Sequence, residues 1–332
     1  MSEPPITLAD IEATQAAVAP WIIETPVVRW GGREMAERVG AGTEVWLKLE
    51  LMQVAGSFKP RGSLNNLLGL DAAALKRGVT GVSAGNHAIA VAYAARELGS
   101  NAKVVMPKTA NPYRVARCRE LGAEIVLMDD VALAFEEVKR IETEEGKTFV
   151  HPFEGRATIL GTATVGLELM RQLPDLDAVV VPIGGGGLIA GIARAVKLIN
   201  PDCAVYGVEP EGAQAMTKSL AAGEPQSIDA VRSIADSLGA PHAAPMSYAL
   251  VREHVDEVVL VDDAALRSAL ALLYSERKLA AEPASAASTA ALLGPLKDRL
   301  AGKRVALIVS GSNIDIESFA KHVSAGLAEG AA

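Results

Sequence analysis

Cysteine is nearly absent from this chain of 332 residues: only Cys118 and Cys203 occur. Two cysteines so far apart give neither a disulfide framework nor a cysteine-built zinc site, and they fit a reducing, cytoplasmic compartment. Aromatic residues make up only 4% of the chain, so the core has to be aliphatic. Positive charge is also in short supply. The formal net charge is −8 and there is no basic block, which argues against a nucleic-acid partner. The longest uncharged run, 178–193, is too short and too rich in glycine to span a membrane. The opening residues, Met1-Ser2-Glu3-Pro4-Pro5, have no basic n-region and no apolar h-region, so no signal peptide is expected. Repeats, low-complexity tracts and a long linker are missing too. Any domain boundary is therefore a fold-back of the chain.

What is there is an alternation. Half of the residues are hydrophobic, enough for a large core in one or two domains. Thr7-Leu8-Ala9-Asp10 reads as a capping box with Asp in place of Glu, opening a helix that ends near Pro20. Strands are expected over 45–50, 79–83, 103–107, 124–128, 148–151, 178–183, 205–208, 257–261 and 304–309. Helices are expected over 88–98, 113–121, 132–145, 161–173, 188–199, 264–276 and 286–300. Most of the strand segments are unbroken apolar runs, as in parallel strands buried on both faces. The alternation predicts an open, doubly wound α/β fold. The chain after Lys321 is rich in Ala and Gly and is expected to fray.

The most informative local feature is Gly56-Ser57-Phe58-Lys59-Pro60-Arg61-Gly62. Lys59 follows a strand and opens a helix. Desolvation and the positive end of the helix dipole both disfavour its ammonium form. A neutral amine is what a carbonyl cofactor needs to form a Schiff base, although most lysines are simply solvated. Three further loops leave strand ends, where ligands bind in open α/β sheets. In Ser83-Ala84-Gly85-Asn86-His87 the backbone N–H groups offer an anion seat; the same residues also suit an ordinary N-cap, and His87 suits a structural hydrogen bond. Gly184-Gly185-Gly186-Gly187-Leu188 fits a backbone nest around a phosphate. Ser310-Gly311-Ser312-Asn313 can turn a hydroxyl toward a heteroaromatic nitrogen, or be a plain turn. A rival reading uses Gly185, Gly187 and Ala190 as a relaxed dinucleotide fingerprint, with Glu209 at the next strand end for the ribose. That reading makes the chain an NAD-dependent oxidoreductase and leaves Lys59 without a role.

Taken together, these motifs and Glu282-Pro283 resemble the fold-type II pyridoxal-phosphate enzymes, and more narrowly the serine/threonine dehydratase and serine racemase branch. The resemblance covers nearly the whole chain. It implies a tryptophan synthase β-like architecture: two open, twisted, mostly parallel sheets with helices on both faces. It also implies a small domain over residues 55–155, a large domain over 1–54 plus 156–325, and a frayed tail over 326–332. By the same resemblance Lys59 would carry pyridoxal 5'-phosphate and serve as the Cα base. Phe58 would pack on the pyridine ring, Asn86 would meet the ring hydroxyl, Gly184, Gly185, Gly186, Gly187 and Leu188 would bind the phosphate, and Ser310 would face the ring nitrogen. Ser83, Ala84, Gly85, Asn86 and His87 would receive the substrate carboxylate. The implied reaction is α,β-elimination from a 3-hydroxy amino acid, L-threonine or L-serine first, giving a 2-oxo acid and ammonia. Departure of the hydroxyl would be helped by the cofactor phosphate.

Several positions depart from the branch's pattern. Racemases carry a serine base where this chain has Ala84, which favours a dehydratase. The cation set of some relatives would need Glu209, Ala213 and an Asp at the position of Ala215, so a divalent cation is not expected. Ser285, Ala286 and the segment 235–242 also differ and border the expected substrate, which leaves 3-hydroxyaspartate and phenylserine open. No C-terminal regulatory domain is expected, consistent with a catabolic role. Homodimerisation is expected from the family and from oligomer base rates. A β-replacement synthase on the same fold and a non-catalytic cofactor-binding protein compete with the dehydratase reading.

Overall fold

Unbroken apolar runs make strands buried on both faces, and Val79–Val82 and Ala178–Pro182 are buried at every residue. The computed structural model describes residues 4–129 and 131–329. Its strands are β1 (Val27–Trp30), β2 (Glu44–Lys48), β3 (Val79–Val82), β4 (Ala102–Pro107), β5 (Glu124–Met128), β6 (Thr148–Phe149), β7 (Ala178–Pro182), β8 (Ala204–Pro210), β9 (Glu257–Val261) and β10 (Arg304–Ile308). They form a six-stranded sheet ordered β1-β2-β10-β7-β8-β9 and a four-stranded sheet ordered β5-β4-β3-β6. Every pairing is parallel except that of β1 with β2. The expected mostly parallel α/β architecture is what the chain adopts.

Alternation along β7 supplies both faces of the larger sheet. Val180 packs with Leu266, Leu270 and Leu292 on one side. Val179 and Val181 pack with Leu169, Ile189 and Ile192 on the other. In the smaller sheet Val79 and Val104 face Ile89 and Leu64, whereas Val82 and Val105 face Val138 and Ile141.

Strand order reverses once in each sheet. The chain runs outward from β7 through β8 to β9, and β10 lies on the other flank of β7. It likewise runs from β3 through β4 to β5, with β6 on the other flank of β3. Such reversals open crevices at the carboxyl ends of the strands. The loops there are Gly184–Leu188 and Ser310–Asn313 in one sheet, and Ser83–His87 and His151–Gly155 in the other.

The capping box forms as expected, with Thr7 and Asp10 bonded reciprocally and the helix spanning Leu8–Val18. Other expectations are corrected. The helix over 286–300 is a tight turn, Pro283–Ala286, and a helix Ala287–Leu293, stopped where Gly294 precedes Pro295. The strand over 148–151 is shorter, Thr148–Phe149; the Val150 N–H still donates to the Thr80 carbonyl at 2.9 Å, and the chain then turns at His151, whose ring nitrogen accepts from the Phe153 and Glu154 amides. The tail does not fray where expected: helix Ile316–Glu329 packs Phe319, Val323 and Gly326 inward. A Cβ on Gly326 would lie 2.1 Å from the Arg267 carbonyl of the adjoining helix, so glycine permits this contact. Residues 330–332 lie outside the described residues.

Candidate active site

Lys59 stands between the two crevices. Its segment is tied to the end of β10: Phe58 N–H donates to the Ser310 carbonyl at 3.2 Å, and Ser57 bridges to Gly311. Gly56 needs its φ of +73°, and a Cβ there would lie 2.7 Å from Asn313 Oδ1. Lys59 is the N-cap of helix Pro60–Leu68 and contributes no side-chain cap. Below it, Arg61 is fully buried. Its guanidinium donates to Glu50 at 2.8 Å and to Glu168 at 2.7 Å, and Glu168 also accepts from Lys48 at 2.8 Å. This closed set of charges locks the helix, and with it Lys59, onto the larger sheet.

Lys59 Nζ donates to the Pro152 carbonyl at 2.5 Å and lies 5.1 Å from the Phe58 ring centroid. Burial lowers its pKa to about 8, against the opposing charge of Glu282. The expected depression of this amine is therefore present, with desolvation its leading cause. His87 does not offer a titrating group. It is buried, its Nε2 pairs with the Val150 carbonyl at 2.8 Å, and burial holds its pKa down to about 3.

A cavity of about 220 Å³ opens at both switch points and is lined by Lys59. The expected residues Phe58, Ser83, Ala84, Gly85, Asn86, His87, Gly184, Gly185, Gly186, Gly187, Leu188 and Ser310 all line it. Helices Asn86–Glu97 and Gly187–Ile199 both begin at it, and neither N-terminus has a side-chain cap. Their leading N–H groups are thus an anion seat on each side of Lys59.

The glycine run has causes of its own. A Cβ on Gly185 would sit 2.2 Å from the Phe153 ring, and one on Gly187 would sit 2.3 Å from the Phe153 carbonyl oxygen. Gly186 has φ +91°. Close approach of the His151–Gly155 loop therefore requires glycine here even before any ligand is considered. Across the cavity, Asn86 Nδ2 donates to Glu282 at 2.6 Å, and Asn86 Oδ1 accepts from Asn313 at 2.7 Å. Ser83 Oγ accepts from the Gly85 amide at 3.0 Å. Ser285 Oγ donates to the Gly311 carbonyl at 2.7 Å and accepts from the Gly311 amide at 2.7 Å. Its single proton is then used, so in the 3.1 Å contact between the two hydroxyls Ser310 is the donor.

Glu209 corrects the ribose reading: its carboxylate is turned into the fold. It is buried, and its two oxygens accept from Met216 N at 2.8 Å, Thr217 N at 2.8 Å and Thr217 Oγ1 at 2.6 Å, capping helix Ala215–Ala222. Burial pushes its pKa up against those bonds. Ala213 lies buried in the adjoining turn Glu211–Ala213.

Sequence reading missed Arg114. This buried side chain from helix Pro112–Glu120 donates to the Asn313 carbonyl at 2.7 Å and to Asp236 at 2.5 Å, and it reaches Glu282 at 3.4 Å. Burial lifts the Glu282 carboxyl to about 7, against the pull of Arg114. No local pattern distinguishes Arg114 from the neighbouring Arg117 and Arg119. Phe135, Pro152 and Phe153 also line the cavity and belong to none of the loop motifs. The one signal of Phe135 and Phe153 in the sequence is the scarcity of phenylalanine, and Pro152 has none. The segment expected to border a substrate, 235–242, does reach the cavity through Asp236 to Pro241.

Comparison with known proteins accords with this geometry. The chain is 53% identical over 323 residues to the phenylserine dehydratase of Ralstonia pickettii, covering 96% of this chain and 98% of that one. It is 38% identical to the L-threonine ammonia-lyase of Thermotoga maritima, covering 97% and 79%. Among solved structures, maize serine racemase superposes with a TM-score of 0.88 at 36% identity, covering 95% of this chain and 99% of that one. Residues 18–311 match the family described as pyridoxal-phosphate dependent enzyme, and the chain belongs to that family.

Proposed function

We propose that this protein is an ammonia-lyase that uses pyridoxal 5'-phosphate to convert a 3-hydroxy amino acid into a 2-oxo acid and ammonium. The observation that carries the reading is a buried, pKa-depressed lysine set between two uncapped helix N-termini. A phosphorylated aldehyde needs an amine and an anion seat, and the residues present fit both. The run Gly184–Leu188 would hold the phosphate on its amides, and Lys59 would hold the aldehyde carbon. Phe58 would flank the ring, Asn86 would meet its hydroxyl, and the neutral Ser310 would stand by its nitrogen. The bound cofactor supplies a sink for the electron pair left when the Cα proton departs.

The chain's own groups do the rest. The N-terminal amides of helix Asn86–Glu97, with Ser83 and Gly85, orient the substrate carboxylate. Lys59 Nζ takes the Cα proton, a task suited to an amine whose pKa lies near working pH. Phe153 and Pro152 keep water from that side of the amine. Ala84 has no group that could return a proton from the opposite face, so elimination is favoured over racemisation. Net loss of the α-proton and β-hydroxyl as water, followed by hydrolysis of the C–N bond, gives the 2-oxo acid and ammonium.

In this reading residues 55–155 form a small unit inserted into a large one of 1–54 plus 156–325, with the cofactor in the cleft between them. A homodimer in the cytoplasm completes the proposal. Cys118 and Cys203, both free and buried, suit a reducing compartment, and closed dimers are the commonest oligomers. Among the described residues no helix is long and apolar enough to cross a membrane.

The test is the visible spectrum of the purified protein together with 2-oxo acid release from L-serine, L-threonine, L-threo-3-phenylserine and L-threo-3-hydroxyaspartate, for the wild type and Lys59→Ala. The expected outcome is a yellow wild type that deaminates at least one substrate, and a variant with its rate cut by at least ~10³-fold. A colourless wild type that takes up no pyridoxal phosphate, or a Lys59→Ala protein with full activity, would sink the reading.

A further inference from the structure

We infer that the cavity selects a 3-hydroxy amino acid whose β-carbon carries an aryl ring, and that Phe135 sets this preference. The inference rests on the ammonia-lyase reading and adds the side chain. With the substrate carboxylate at helix Asn86–Glu97 and Cα near Lys59, the inference places the β-substituent against Pro107, Phe135, Leu238, Ala240 and Pro241, apolar residues that line the same cavity. Phe135 comes from helix Val131–Glu145 and the other wall from the segment after β8. The two meet where Phe135 lies edge-on to His242, ring centroids 6.4 Å apart at 60°. His242 in turn stands 5.6 Å from Phe153.

Three observations favour an aromatic occupant. The chain has five phenylalanines; with Phe58 left to the cofactor ring and Phe153 packed on the glycine loop, a third, Phe135, still lines the cavity. Phe135 is only partly covered by its own core, Val138 and Ile141, and the rest of its ring is shared between His242 and the cavity. The ionisable side chains of the lining other than Lys59 and the neutral His87 are Arg114, Asp236 and Glu282, and they pair with one another. A substrate carboxylate on Cβ would find no unpaired cation there and would be desolvated without compensation. A methyl or hydrogen on Cβ would leave the aromatic wall without contact.

The test uses the holoenzyme. Initial rates of 2-oxo acid release are measured with L-threo-3-phenylserine, L-threonine and L-threo-3-hydroxyaspartate for the wild type, Phe135→Ala and Phe135→Leu. Binding of L-phenylalanine, which has no leaving hydroxyl, is compared with that of L-alanine. The wild type is expected to favour phenylserine over threonine by about tenfold or more in kcat/KM. Phe135→Ala should lower phenylserine turnover by about tenfold while leaving threonine within about twofold, and should weaken L-phenylalanine binding by a similar factor. Phe135→Leu, which keeps the apolar bulk, should fall between and stands in if the alanine variant does not fold. A wild type that prefers threonine, or a Phe135 variant that lowers both substrates alike, overturns the inference. If the coloured wild type deaminates nothing, the ammonia-lyase reading fails by itself. L-Phenylalanine bound no tighter than L-alanine would then overturn the aryl preference as well, and tighter binding that Phe135→Ala abolishes would sustain it.

Discussion

The loop after β7 and the loop after β3 both lead into a helix whose N-terminus has no side-chain cap, yet they keep their shapes by different means. Gly184–Leu188 is shaped by backbone and steric contact: the Phe153 ring and carbonyl occupy the places where Cβ atoms at Gly185 and Gly187 would go. Ser83–His87 is shaped by side chains. Asn86 is held between Glu282 and Asn313, Ser83 folds back on the Gly85 amide, and His87 reaches the Val150 carbonyl. The first loop presents amides with no titratable partner and tolerates no added carbon. The second tolerates small changes of shape but sits in a network that contains a carboxyl with a pKa of about 7. A permanent group suits the first kind of seat, and a ligand that comes and goes suits the second.

The largest effect should come from adding one carbon to the backbone-shaped loop. In Gly187→Ala the new Cβ meets the Phe153 carbonyl oxygen at 2.3 Å and its carbonyl carbon at 2.9 Å. These are backbone atoms and cannot swing aside. Overpacking of this kind lowers stability by roughly 1–3 kcal/mol, and the displaced amides should weaken pyridoxal-phosphate binding by about a hundredfold, equivalent to ~2.7 kcal/mol. The same substitution in the other loop is milder. In Gly85→Ala the Cβ meets the Arg114 side chain, Nη1 at 3.0 Å, a contact that a shift of a few tenths of an ångström relieves. Cofactor titrations of the two apoproteins, followed by visible absorbance, compare them. Equal losses in both variants would abolish the distinction between the loops.

The same contrast explains what sequence reading could reach. Both switch-point crevices were legible because their loops combine strand-end position with glycine or with Ser, Asn and His, and Lys59 was legible from its place at a helix start. The strands of both sheets followed from apolar runs such as 178–182. Sequence reading took the four glycines as a ligand's requirement alone, because Phe153 reaches them from a different sheet, across 32 residues of chain. The ribose reading of Glu209 fails for a related reason. A carboxylate at a strand end looks ligand-facing until the helix it caps, Ala215–Ala222, folds back over it. Arg114 and Glu282 are 168 residues apart, and no periodicity encodes their meeting. Motifs confined to one loop were therefore readable, and groups assembled from both sheets were not.

The side-chain-shaped loop should be distinguished by pH. Glu282 has its folded pKa raised to about 7, by burial first. A carboxyl raised above its unfolded value near 4.3 adds stability that is complete below that value. The contribution is lost as pH rises through about 7, because ionisation is easier in the unfolded chain. Glu282→Gln removes the titration and keeps an acceptor for Asn86. The urea midpoint of the wild type relative to this variant should therefore fall between pH 5 and pH 7, then level off above about pH 8. Asp236 still pairs with Arg114, so the variant should fold. A difference that does not change with pH would remove Glu282 as the titrating member of the network. The corresponding comparison of Gly187→Ala with the wild type should be flat over the same range, since no ionisable group shapes that loop.

The smallest effect should come from Ser83→Ala. Its hydroxyl oxygen accepts from the Gly85 amide at 3.0 Å, a partly exposed bond whose net contribution is about 1 kcal/mol or less. The freed Gly85 N–H can turn to water or to the substrate carboxylate, which offsets part of the loss. If the loop receives a carboxylate bound alike in ground and transition states, KM should rise a few fold with kcat nearly unchanged, since uniform binding is what has been removed. Pyridoxal-phosphate affinity should not change, because the phosphate belongs to the opposite loop. Steady-state kinetics and a cofactor titration on this one variant separate the seats. Lost cofactor with intact KM would reverse their assignment and make the side-chain-shaped loop the permanent one.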